Sequence, residues 1–233
     1  MQLLFKTLKW DVFLLYKYGI VAVALGISAI YSLLLLSLDT AGLEKLVAIL
    51  IFSDPVMYGF LFTAVMILFE KEAQTHQVLA VTPLSTGGYI WSKALAFTLL
   101  ALITSFLIML AAHPAYFNVF WFVLAICLSS LLFIFIGIVG VSFVQNFNQF
   151  ILIIPIVLAP ICLPFLHYFG LSDSWLYYVI PSQACLILFA GSVSKVAGWQ
   201  LFYAVVYLLA LNYLTYRWAY SSYNKRILKT NRK

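Results

Sequence analysis

The sequence predicts an all-α integral membrane protein with six transmembrane helices, and three observations carry that prediction. Of 233 residues, 65% are hydrophobic and only 9% charged, against about 25% charged in an ordinary soluble domain. Mean hydropathy is +1.08, so a water-soluble enzyme and a disordered chain are both excluded. No Asp, Glu, Lys or Arg occurs from Ala94 to Ser172, a stretch that holds three spans of roughly 20 residues and two turns. With six spans and the N-terminus inside, eleven basic residues fall on the cytoplasmic side and only Lys45 and Lys195 on the other. That asymmetry obeys the positive-inside rule and predicts both termini cytoplasmic.

Residues 1–18 carry too much charge to span. Gln2, Lys6, Lys9 and Lys17 share about a quarter of a helical wheel, with Leu4, Leu8, Val12 and Leu15 opposite. This predicts an amphipathic interfacial helix lying in the bilayer surface. Asp11 falls off the lysine stripe, which points to a protein partner or to an acid at headgroup level. The first span is 19–38. The sequence Ser53-Asp54-Pro55 reads as a helix start, with Asp as N-cap and Pro at the first helical position. On that reading 43–53 is a short segment at the outer interface and the second span is 55–69. A continuous helix would instead place Asp54 about 13 Å into the bilayer, where an acid is functional by default. N-cap at an outer vestibule and acid of the substrate pathway are the two readings.

Spans three, four and five are 94–112, 119–143 and 150–169, separated by His113-Pro114 and by the polar run Gln145–Gln149. The fifth, with Pro155, Pro160 and Pro164, is expected to be kinked and packed inside, where neighbours satisfy the freed carbonyls. Residues 174–194 carry interface aromatics and a Pro181-Ser182-Gln183 break, so they are expected to enter from outside and return. The last span is 196–216, followed by a basic cytoplasmic tail, 217–233. In span four, Gly137-Ile138-Val139-Gly140 offers small residues for a close helix crossing, with a partner in this chain or in a second subunit.

The substantial cytoplasmic loop is 70–93, within one single six-span domain, 19–233. Residues 70–81 are good helix formers, and Val78, Leu79 and Val81 form an apolar patch. Thr82 before Pro83 must leave the α region, and Ser85 or Thr86 then caps the next helix. Such an elbow needs something to bury against, either a partner or lipid. Glu70 and Glu72 are available to pair with a partner or with Lys93, as surface pairs worth at most about 1 kcal/mol.

The order Glu72, Thr75, Leu79, Thr82, Pro83, Ser85, then Lys93 resembles the loop between spans two and three of type-2 ABC exporter permeases. Phe52-Ser53-Asp54-Pro55, Phe69-Glu70-Lys71, Lys9-Trp10-Asp11 and Ile180-Pro181-Ser182-Gln183-Ala184 are similar to the fluoroquinolone-export branch of that family. The resemblance implies an exporter subunit in a prokaryotic plasma membrane, moving a hydrophobic or amphipathic small molecule. It implies a coupling helix at 70–93 that docks a separate ABC ATPase, with ATP and Mg on that partner. A second permease copy, or a related permease, would complete the pathway. No phosphate-cradling G-x-x-x-x-G-K-[ST] occurs in the chain, so no cofactor is expected on this subunit. The histidines His76, His113 and His167 are scattered along the chain and the three cysteines lack metal-site spacing, so neither a catalytic nor a metal site is expected. Nucleic acid is not an expected partner. A non-transporting structural or immunity-type membrane protein is the alternative that composition alone allows.

Overall fold

The computed structural model describes residues 2–37, 44–73, 85–112, 117–172 and 174–228, and among these it is helical throughout with short connections. Helix α1 is Gln2–Lys17 and α2 is Ile20–Ser37, joined at Gly19, whose positive φ of 73° suits glycine. Helix α3, Glu44–Val56, continues without interruption through a π-helical segment, Met57–Phe62, into α4, Thr63–Glu72. Then come α5 (Thr86–Ala112), α6 (Val119–Ser142), α7 (Phe147–Cys162) and α8 (Pro164–Tyr168). A 3-10 turn, Trp175–Val179, leads into α9 (Pro181–Val193), and α10 (Gly198–Ser222) ends in a π-turn, Tyr223–Leu228.

Five of these helical stretches are long and apolar enough to cross a membrane: Ile20–Ser37, Lys45–Glu72, Thr86–Ala112, Val119–Ser142 and Phe147–Tyr168. Helix α10 has the length, at 25 residues, but Gln200, Asn212 and its tyrosines make it less apolar. Helix α9 has 13 residues, about 20 Å, and is too short to cross. It is nonetheless buried along most of its length, and Tyr203 and Tyr207 of α10 donate hydrogen bonds to the carbonyls of Tyr178 and Val179 at its entrance.

Helix α6 is the centre of the bundle, packed by α5, α9, α10 and the π segment. Its crossing with the π segment brings backbone against backbone. A Cβ on Gly59 would come within 2.8 Å of Phe133 Cβ, and one on Gly137 within 2.7 Å of the Phe60 carbonyl. The partner of the small-residue stripe at Gly137 therefore lies in the same chain. Gly137→Ala meets backbone that cannot swing aside, so it is expected to destabilise the fold by about 1–3 kcal/mol. Gly26→Ala, in open space, should leave the thermal midpoint of the detergent-solubilised protein unchanged.

Three boundaries differ from the sequence expectation. Pro55 does not start a helix. Asp54 and Pro55 sit inside the run from Glu44 to Glu72, so the N-cap reading of Asp54 is corrected. The apolar residues on both sides, Val47 to Phe52 and Val56 to Leu68, bury against the bundle, and that burial carries the helix through a local cap signal. The third span extends back to Thr86 rather than beginning at Ala94, because the helix that Ser85 caps, through a 3.1 Å bond from Gly88 N–H, runs into it unbroken and Lys93 finds partners inside the protein. Span five breaks at Leu163 but is peripheral, not inside. Only Phe150 and Ile161 of α7 are buried, while Ile151, Leu152 and Ile156 are exposed. Lipid and protein interior are equally apolar, so apolarity did not distinguish them.

Candidate functional site

Helices α4 and α5 bracket residues 74–84, and their facing ends are held by a buried charge cluster. Lys93 Nζ lies 2.5 Å from Glu70 Oε1 and 3.1 Å from Asp11 Oδ1, and all three side chains are buried. The arrangement follows from helix geometry. Asp11 shares a stripe with Leu4, Leu8 and Leu15 that α1 turns onto α5, while Trp10, Phe13 and Tyr16 face outward. Glu70 closes the buried face of α4, and Lys93 lies two turns into α5.

Two negative charges against one positive need further donors, and hydroxyls supply them. Ser92 donates to Asp11 Oδ2, and the Tyr89 hydroxyl donates to Glu70 Oε2 at 2.5 Å. The Tyr89 ring lies under the Lys93 ammonium, 4.7 Å from centroid to Nζ, within cation–π range. Burial pushes the Asp11 carboxyl above the usual carboxylate range, and Lys93 draws it back. The Tyr223 ring packs on Tyr89 at 4.7 Å, and Thr86 Oγ1 donates to Asn224 Oδ1 at 2.6 Å. The start of the tail is thereby bound to the same cluster. One residue past Glu70, Lys71 Nζ donates to the carbonyls of Val141 and Val144 at 2.7 and 2.9 Å, at the C-terminus of α6.

A second polar group sits deep in the bundle. Asp54 is 1% exposed and accepts a 3.3 Å hydrogen bond from Ser105 Oγ of α5. The hydroxyls of Thr104 and Tyr58 also face its carboxyl. Among the described residues no cluster of His, Cys, Asp and Glu is arranged to hold a metal.

Residues 2–231 match the sequence model of the fluoroquinolones export permease protein family. The chain belongs to that family. Two Mycobacterium tuberculosis proteins from different strains, each named a fluoroquinolones export permease protein, are 29% identical to it over 160 residues. The match spans 66% of this chain and 66% of the length of each relative. With its apolar helices, this member of the family is a multi-pass membrane protein.

The residues expected on the permease's cytoplasmic loop divide three ways. Thr75, Val78, Leu79, Val81, Thr82 and Pro83 lie outside the described residues. Glu72 and Ser85 are exposed at the two ends of the loop, Glu72 on the last residue of α4. Glu70 and Lys93 are buried together, which corrects the expectation of a weak surface pair. Asp11 does have a protein partner, and it is this chain's own Lys93. Gly87 packs near the Tyr216 hydroxyl of α10, which would lie 3.3 Å from a Cβ at that position. Ser92, Tyr89 and Tyr223 were not singled out from the sequence, and Lys71 only within the Phe69-Glu70-Lys71 motif. The available signal was Asp11, an acid on an otherwise apolar helix stripe, which pointed to a partner without saying which.

Proposed function

We infer that this permease is the membrane subunit of an ATP-driven exporter of the ABC-2 type, working as a dimer with itself or a related permease. It moves a hydrophobic or amphipathic small molecule, with the fluoroquinolones of its relatives' names as the leading substrate class. It resides in a prokaryotic plasma membrane with both termini cytoplasmic, and 174–194 enters and leaves on the outer side. A separate ATPase docks on the loop 70–93, supplying ATP and Mg, so the permease is a transport subunit and not itself an enzyme.

One observation supports this reading above the others. The two roots of the loop, at Glu70 and Lys93, are joined to each other and to α1 by the buried charge cluster. A push on the loop then moves α1, α4 and α5 together, as coupling to a motor subunit requires. A loop that only rested in headgroups would need no such brace.

The experiment is Leu79→Asp. An unpaired charge placed in an apolar protein contact is strongly unfavourable, so the ATPase should dissociate, or hydrolyse without transport. The permease itself should still insert, because no helix of the bundle is altered. Co-purification of the ATPase with the variant measures this directly. Unchanged ATPase yield together with unchanged transport would end the docking assignment.

A further inference from the structure

Asp54 lies nine residues beyond Lys45 in a continuous helix, about 14 Å along its axis. The ion pairs among the described residues involve Asp11, Glu70 and Lys93. Lys93 is on the same helix as Thr104 but eleven residues away, about 16 Å. The other titratable groups around Asp54 are Tyr58, on the next turn, and Tyr31 of α2, which acts on Tyr58. From α5 the groups are the hydroxyls of Thr104 and Ser105. Helices α6, α8 and α9 meet α3 through rings, with Phe133, Phe165 and Phe189 all packed on Phe52.

The direction of the surrounding hydrogen bonds is informative. A hydroxyl has one hydrogen and two lone pairs. Thr104 Oγ1 directs its hydrogen to the carbonyls of Leu100 and Ala101, at 3.1 and 3.2 Å. Tyr58 directs its own to the Ala24 carbonyl of α2, at 3.3 Å. Each has a carbonyl within reach of its single hydrogen, and the hydrogen bond formed to Asp54 itself comes from Ser105. A carboxylate here would have that one bond and no counter-charge in an apolar setting. A carboxylic acid accepts from Ser105 and carries an O–H that a neighbouring hydroxyl oxygen can accept. Burying an ionised carboxylate without a counter-charge is also far more costly than burying the neutral acid.

We propose that Asp54 is an intramembrane proton-binding site, occupied in this conformation, with its O–H donating to the hydroxyl oxygen of Thr104 or Tyr58. The site joins α2, α5 and the π segment, which begins three residues beyond Asp54. Its proton leaves only when α3 and α5 part. The O–H bond then breaks, its electron pair stays on the carboxylate, and the proton passes to water admitted between the helices. The proposal does not rest on ATPase docking, and its spectroscopic test does not require transport.

The test is infrared difference spectroscopy on the full chain in lipid, with the aspartates carrying carbon-13 in the carboxyl group. A protonated-carboxyl C=O stretch should be present at neutral pH, shift with the label, and disappear in Asp54→Asn. Thr104→Val or Tyr58→Phe should move that band to higher frequency, because one of them removes the acceptor. A band absent at neutral pH, unchanged in Asp54→Asn, or indifferent to both hydroxyl deletions would overturn the assignment.

Discussion

Lys93→Met should produce the largest loss of stability of any single substitution in the bundle. The methionine keeps the length of the stem, but Asp11 and Glu70 are left buried without a cation. Removing one member of a buried pair costs about 3–5 kcal/mol, and here one change strands two acids. Ser92 and Tyr89 still donate to them, which softens the effect without replacing the positive charge. The expected result is a sharp fall in the yield of monodisperse protein and in its thermal midpoint. Adding Asp11→Asn and Glu70→Gln to the same variant should restore much of both, because the amides still accept from the two hydroxyls. Wild-type stability in Lys93→Met alone would mean that the cluster is not closed in the assembled protein. A stable triple variant that inserts normally but transports poorly would assign the charge itself to coupling rather than to folding.

The long apolar helices were legible because they depend on where charges fall along the sequence. The pairing among those charges was not, because Asp11 and Lys93 are joined across 82 residues and Glu70 and Lys93 across 23. Lys93 was read as ending a loop in water, yet its ammonium lies inside the protein. Ser53-Asp54-Pro55 carried a genuine local cap signal, overridden by burial of the apolar residues on either side and by the hydroxyls α5 presents. Gly137 was legible as a close-approach position, whereas its partner required the π segment, for which the sequence offers no marker. The exposure of α7 was invisible for a simpler reason. In a membrane the surface and the core are built from the same residues.

Lys71→Met carries the second large effect, and it separates the brace on α6 from the charge cluster next to it. Helix α6 ends at Ser142, and the last carbonyls of a helix have no partners within it. Lys71 reaches two carbonyls at that end, those of Val141 and Val144, where a cation also complements the negative pole of the helix. A hydrogen bond to a charged group contributes about 1.5–3 kcal/mol. Because Lys71 is only half-buried, water can replace part of what the methionine removes. The loss should therefore be near the value of one such bond, well short of the Lys93 effect. Since Glu70 and Lys71 are adjacent, the end of α4 is held in two directions, toward α1 and α5 by one residue and toward α6 by the other. Loosening the second hold should impair transport more than it lowers the thermal midpoint, and Lys71→Arg, which keeps the cation, should recover most of the difference. If Lys71→Met alters neither transport nor melting, the α4–α6 brace has no role in moving the loop, and motion must pass through the Asp11–Lys93–Glu70 cluster alone.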